Sequence, residues 1–161
     1  IMSNPVYTHY ASDIDAVAEA SGFFNYNGAK CKVRPDLYTS DGTIIDLKST
    51  QDASEAGFRS SIRKFSYAFQ ACWYMEAMRA LGLPAKQFIF IVSEKAAPYL
   101  TASYTLTASE IDRQKPRMQS FVYTIIKEYE LETTNVGNQR RVDLTAFSNA
   151  LRNHNEGKKA A

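Results

Sequence analysis

The stretch that decides the fold runs from Cys31-Lys-Val-Arg-Pro-Asp36 through Ser40-Asp41-Gly42 to Ile44-Ile-Asp46-Leu-Lys48. Ser40-Asp41-Gly42 has the composition of a three-residue hairpin loop, with Gly42 supplying the left-handed position that closes such loops. In that register Thr39 faces Thr43, Asp36 lies opposite Asp46, and Arg34 opposite Lys48. Opposed residues share a face of the sheet, with Cβ atoms about 4.5–5.5 Å apart. Lys32, Arg34, Asp36, Asp46 and Lys48 then gather on one face, while Val33, Leu37, Ile45 and Leu47 fall on the other, where a core would take them. A slip of one residue would spoil both faces.

Two carboxylates held side by side repel each other. A divalent cation relieves that cost, and ligands that are all oxygen favour magnesium or manganese over zinc. A lysine two residues beyond the second carboxylate can hold or polarise a water aimed at a phosphate. Metal, positioned water and positive charge are the parts that phosphodiester hydrolysis needs. The alternative is a pair of surface ion pairs, Arg34 with Asp36 and Asp46 with Lys48, because Pro-Asp and Asp-x-Lys are common short strings.

Working outward, Ser12 to Ala20 opens with cap chemistry and continues with alanine-rich spacing, which predicts a short helix. Phe23 to Tyr26, the Asn27-Gly28 turn and Lys30 to Tyr38 predict two strands, so that with Thr43 to Lys48 an antiparallel meander results. From Ser54 to Leu81 the spacing of Phe58, Ile62, Phe65, Phe69, Cys72 and Trp73 predicts one long helix or two abutting ones, stopped by Gly82 and Pro84. Opposite that apolar stripe, Arg63, Tyr67, Gln70 and Tyr74 form a polar and aromatic stripe facing away from the core. It would suit a substrate groove, or be an ordinary solvated helix face. Gln87 to Ser93 is a continuous apolar run, expected as a strand buried on both faces. Tyr99 to Thr107 alternates like a neighbouring or edge strand, and Ser109 to Leu131 predicts a helix. A polar tail follows Asn135, with a last short helix from about Asp143. The order predicts an α/β fold, a central mixed β-sheet flanked by helices.

The 161 residues suit a single domain, with a core over about 12–131 and a polar tail over about 135–161. No apolar run approaches the roughly 20 residues needed to span a bilayer, and signal-peptide regions are missing, so the reading is a soluble cytoplasmic protein without membrane partners. Cys31 and Cys72 are too few and too isolated for a disulfide framework or a zinc site and are expected as buried thiols. A net charge of +2 neither demands nor excludes nucleic acid, so any such argument rests on local charge. Lys32, Arg34, Arg63 and Tyr67 are candidate DNA contacts. Arg140-Arg141 and Lys158-Lys159 read as a solvated tail.

Pro35-Asp36, Asp46-Leu47-Lys48 and Gln70-Ala-Cys-Trp-Tyr74, in this order and spacing, resemble the PD-(D/E)xK nuclease superfamily, whose core is restriction-endonuclease-like. The last string matches the Gln-x-x-x-Tyr motif of the branch holding RecB-type domains and phage-type exonucleases. The fuller wording over roughly residues 19–130 is similar to the RecE (exonuclease VIII) and lambda-exonuclease type. The resemblance implies catalytic roles for Asp36, Asp46, Lys48, Gln70 and Tyr74. It implies metal ligation by Asp36, Asp46 and the Leu47 backbone carbonyl, with Glu19 as an upstream acidic ligand. It further implies Mg2+ with Mn2+ as a substitute, 5′-to-3′ double-strand exonuclease activity in phage-type recombination, a single-strand annealing protein as partner, and a ring-shaped homo-oligomer. Two other readings stay open: a catalytically silent DNA-binding or scaffolding module of the same fold, and an endonuclease of the same superfamily. Asp46 stands where many relatives carry Glu. The short length and the opening Ile1-Met2 point to a piece of a longer chain.

Overall fold

Pro35 has no N–H and a fixed φ, so a strand entering it cannot keep its ladder. The computed structural model, which describes residues 1–133, shows the consequence. The chain from Lys30 to Tyr38 is divided between two sheets. Strands β2 (Gly22–Tyr26) and β3 (Ala29–Val33) form a two-stranded sheet of their own, closed by Asn27 and Gly28 at φ 51° and 92°, the paired positive φ that a two-residue hairpin turn demands. Past Pro35 the chain enters β4 (Leu37–Tyr38) in the main sheet. The expected three-strand meander is therefore broken at its middle.

The register beyond the break is the expected one. β4 pairs antiparallel with β5 (Thr43–Thr50) through Leu37↔Ile45 and Tyr38↔Ile44. The Thr39 N–H donates to the Thr43 carbonyl at 3.1 Å, and Gly42 has φ 87°. Asp41 secures this turn, its Oδ1 accepting from the Thr39 hydroxyl (2.7 Å) and the Thr43 N–H (3.0 Å). Its Oδ2 lies 2.7 Å from Lys86 Nζ.

The helix expected over 12–20 is replaced by one further upstream. Asn4 accepts from the N–H groups of Val6 (3.0 Å) and Tyr7 (3.1 Å), and Pro5 fills the first helical position, so α1 spans Pro5–Ala11. Ser12 ends it. Asp13 does not cap a helix, because its Oδ2 accepts from the Ser40 N–H (2.9 Å) and hydroxyl (2.7 Å). The chain then enters β1 (Val17–Ala18), antiparallel to β4.

A helical crossover links β5 to a parallel partner. Ser54 caps α2 (Glu55–Lys64), and Ser66, in the left-handed conformation at φ 56°, separates it from α3 (Tyr67–Ala80). β6 (Gln87–Glu94) then runs parallel to all of β5, from Thr43↔Gln87 to Thr50↔Glu94. β7 (Thr101–Thr105) pairs antiparallel to β6 at the edge. The helix expected from Ser109 is two: α4 (Ala108–Asp112), opened by a Thr107–Glu110 capping box, and α5 (Lys115–Thr133). Pro116 is tolerated only in a first turn, which places the restart there. The polar tail, the helix expected from Asp143 and both basic pairs beyond Asn135 lie outside the described residues.

The main sheet has the order β1-β4-β5-β6-β7. Alternation along β5 sends Ile44 into a core cluster with Phe58, Phe69, Phe88, Phe90 and Met118, under the later helices. It sends Ile45 and Leu47 to a smaller cluster with Leu37, Ile89, Ile91 and residues of α1. The result is a mixed sheet with helices on both faces. Val33, expected beside Leu37, belongs instead to the Ile44 cluster, because the turn at Pro35 carries the β2–β3 hairpin onto α3. Phe24 and Tyr26 meet Trp73 there at 5.4 and 5.7 Å between ring centroids. Phe65, expected in the apolar stripe, is 53% exposed where α2 gives way to α3. Cys31 and Cys72 are free and buried, and burial pushes both thiols up to about 11. Among the described residues no helix is long and apolar enough to cross a membrane.

Candidate active site

The same alternation that buries Ile44 turns Asp46 toward α3, where it is only 4% exposed. Its parallel neighbour on β6 is Phe90, which offers no hydrogen bond. The groups that meet the carboxylate come from elsewhere. Gln70 of α3 donates its Nε2 to Oδ1 at 2.8 Å, and Lys48 Nζ stands 2.5 Å from Oδ2. Apart from that charge contact Oδ2 accepts no hydrogen bond. Burial therefore dominates and pushes the Asp46 carboxyl up to about 6; Lys48 opposes the shift, while the nearby Asp36 charge adds to it. Lys48 also lies 4.8 Å from the centroid of the Tyr67 ring, a cation–π seat that holds the ammonium at the edge of α3.

Asp36 reaches the same place by a different route. Extended by two residues, the β4–β5 register sets Pro35 opposite Leu47. Pro35 has no N–H to give the Leu47 carbonyl. The Leu47 N–H in turn is taken by Asp36 Oδ2 at 2.6 Å. Where the backbone ladder fails, a carboxylate is pinned to β5 one residue from Asp46. Tyr74, a turn beyond Gln70, donates its hydroxyl to the Arg34 carbonyl at 3.2 Å and packs its ring edge-on to Phe88, which ties the Arg34-Pro35-Asp36 corner to α3. Burial and the Asp46 charge push the Tyr74 phenol up to about 12, so it stays a neutral donor. The same two causes raise Tyr67.

The chain thus brings Asp36, Asp46, Lys48, Tyr67, Gln70 and Tyr74 together around one edge of α3. It does so with the stripe facing the sheet, not away from the core as expected. α3 is buried on most of its surface, since Phe69 and Trp73 are covered on its other side. Arg63 is not in the stripe, because the break at Ser66 leaves it exposed on α2. Arg34 does not face Lys48; past the end of β3 its guanidinium pairs with Glu19. Glu19, at φ 54°, donates its N–H to the Asp36 carbonyl at 3.2 Å, so it sits at the same corner while its side chain is exposed and held by Arg34. Lys32 belongs to the separate hairpin, with Nζ 5.8 Å from the Phe23 ring centroid. Sequence spacing missed Lys64, Phe65 and Lys95, which border a groove beside Tyr67. They come from two elements that only the crossover brings together.

Among the described residues no three His, Cys, Asp or Glu side chains cluster as a metal cage. The oxygens on hand are the Asp36 and Asp46 carboxylates and the Leu47 carbonyl. That set is unlike a zinc site. It matches the sparse protein ligation of magnesium, which keeps several waters and takes one or two carboxylates. The buried Asp46 Oδ2, met by Lys48 alone, is the atom at which such an ion would take the place of the ammonium.

Residues 18–138 match the model of the PDDEXK-like domains of unknown function, DUF3799. The chain belongs to that family. Its fold is similar to that of an inferred exonuclease from Eubacterium rectale, known from a crystal structure, with a TM-score of 0.65 and 19% identity over 79% of this chain and 49% of that one. At that identity the likeness speaks for the fold alone, and the chain spans about half the length of that protein. Likeness to the protein SSO0001, at a TM-score of 0.36 and 15% identity over 71% of this chain and 54% of the other, is too loose to argue from. No curated protein matches the chain significantly.

Proposed function

We propose that this PDDEXK-like domain is a metal-dependent deoxyribonuclease that hydrolyses DNA phosphodiester bonds. The observation that carries the reading is Asp46: a carboxylate buried at 4% exposure beside a second carboxylate, with one oxygen met by Lys48 alone. Buried like charges are costly, and they collect where chemistry uses them.

In this reading Asp36, Asp46 and the Leu47 carbonyl hold magnesium, or manganese in its place. The bound ion supplies charge for the phosphate and a water acidic enough to attack. Lys48 would leave its contact with Asp46, orient the attacking water and face the developing negative charge. Gln70 keeps Asp46 in its rotamer, and Tyr74 acts through the Arg34 carbonyl to position Asp36. Lys32, Arg34, Arg63 and Tyr67 contact the DNA. A phosphate that took over Arg34 would release Glu19, whose carboxylate would then be free to serve as the upstream acidic ligand. The wording of the motifs favours a 5′-to-3′ double-strand exonuclease of the RecE and lambda-exonuclease type, working in the cytoplasm beside a single-strand annealing protein and assembled as a ring.

The test is release of nucleotides from end-labelled linear duplex and from closed circular duplex, with magnesium, with EDTA, and with Lys48→Ala. Loss of nucleotides from one end of the linear DNA alone, abolished by both controls, supports the exonuclease; nicking of the circle supports an endonuclease. The Asp46–Lys48 pair could also serve a binding module that cuts nothing. DNA binding without magnesium-dependent hydrolysis would select that reading and defeat the enzyme.

A further inference from the structure

Beside the candidate site a second concavity opens, of about 390 Å³, between the end of β5, one face of α2 and the turn after β6. That volume lies within the range of small-ligand sites. Its lining includes serine and threonine hydroxyls, Lys64 and Lys95, the rings of Phe65 and Tyr67, and one acid, Asp52.

Two cations without an ion pair among the described residues border this groove. Lys86, Lys115, Arg34, Arg59 and Arg79 each meet a carboxylate, whereas Lys64 and Lys95 have no ion pair among the described residues. The acid on the wall, Asp52, is turned to its own backbone and accepts from the Ser54 N–H at 2.8 Å. The groove therefore carries two lysines without an ion pair, one carboxylate turned to its own backbone, and several hydroxyls.

The aromatic side connects it to the candidate site. Phe65, 53% exposed, stacks on Tyr67 with ring centroids 5.5 Å apart and planes 28° apart. Tyr67 in turn seats Lys48 at 4.8 Å. Phe65 is thus the outer end of an aromatic stack whose inner end touches the proposed catalytic lysine, and Lys64 Nζ lies 5.3 Å from its ring centroid, where a stacking base would displace it toward the phosphate. A large ring left exposed beside such cations is the combination that single-stranded nucleic acid uses, with phosphates on the cations and a base on the ring.

We infer that this groove holds one nucleotide of an unpaired DNA strand next to the scissile phosphate, its base stacked on Phe65 and its phosphate on Lys64 and Lys95. The inference rests on the nuclease reading for the direction of the strand but not for the binding itself. It makes the substrate strand locally single, so the duplex must be opened before it is cut. Stacking discriminates little among bases, so the groove is tolerant of sequence.

The test is fluorescence anisotropy of a labelled oligothymidylate and of a blunt duplex of equal length, in EDTA so that nothing is cut, with the full chain and with Phe65→Ala, Phe65→Tyr and Lys95→Ala. Phe65→Ala should weaken the oligothymidylate roughly 5- to 150-fold, Phe65→Tyr should restore it, and the duplex should change less. Lys95→Ala should flatten the salt dependence of oligothymidylate binding by about 0.7 in logarithmic slope. Unchanged affinity and slope in both alanine variants, with unchanged melting, would overturn the groove. So would an equal loss on the duplex. Wild-type cleavage with no effect of Phe65→Ala leaves the nuclease standing without the groove. Phe65-dependent binding with no cleavage leaves the groove standing without the nuclease.

Discussion

Asp41 and Asp46 stand at opposite ends of one hairpin and meet opposite fates. Asp41, at the turn, accepts from Thr39 and Thr43 and pairs with Lys86, and these partners hold its carboxyl well below the usual range. Asp46, under α3, has only Gln70 on one oxygen and Lys48 on the other, and burial lifts its carboxyl to about 6. Five residues apart, one aspartate is saturated by its surroundings and the other is left in need. The first has what a turn requires. The second has what a ligand or a reacting group would complete.

The largest expected effect breaks the needy end. Lys48→Ala leaves a buried carboxylate unpaired, which typically costs about 3–5 kcal/mol. Urea unfolding in EDTA at pH 7.5 should show that loss, and it should shrink below about pH 6 as Asp46 takes a proton. An equal loss at both pH values would mean that the side-chain stem, not the charge, is what matters.

Next in size is the pH dependence of the metal-free protein. Moving a carboxyl from 3.8 to about 6 corresponds to about 3 kcal/mol. Because the folded value is raised, this contribution is complete below 3.8 and is lost as pH rises through about 6. Asp46→Asn should remove that slope, read by unfolding between pH 4 and 8. Magnesium, which needs the carboxylate, should restore stability at neutral pH by about 2.7 kcal/mol at a hundredfold excess over its dissociation constant. It should restore little below pH 5. A melting temperature indifferent to magnesium at pH 8 would remove the metal from the site.

Smaller again is Gln70→Ala, which strips Asp46 Oδ1 of its donor at about 1–3 kcal/mol and should raise the Asp46 titration midpoint followed by NMR. Smallest is Asp41→Asn. Its folded value is lowered, so its contribution is present above 3.8 and is lost as pH falls through the folded value. The side chain is 41% exposed, and screening limits the effect to about 1 kcal/mol or less. The slopes of the two aspartates with pH should thus have opposite signs.

Much of the hairpin was legible because its logic is local. Gly42 after Ser40-Asp41 specifies the loop, and the period of two along Ile44 to Lys48 specifies the faces, so the register Leu37↔Ile45 follows from the text. The place of Gln70 was half legible. Its helix could be read from spacing, but its facing could not, since a helix covered on several sides carries no single polar stripe to orient it. The chain upstream was read wrongly for related reasons. Ser12-Asp13 looks like a cap, yet Asn4-Pro5 caps earlier and Asp13 is spent on Ser40. Arg34 and Lys32 looked aligned with Lys48 because periodicity was carried through Pro35.

The sequence alone determined most of the later elements and the hairpin register, and it pointed to Asp36, Asp46, Lys48, Gln70 and Tyr74, because caps, turns and alternation act over a few neighbouring residues. Only the tertiary structure decided that β2 and β3 leave the main sheet and that α3 turns Gln70 and Tyr74 inward. It also decided that Asp36 reaches β5 through the Leu47 N–H. Those outcomes depend on which surfaces are covered by residues distant in the chain, and on a hydrogen bond that becomes available only where Pro35 withholds its own.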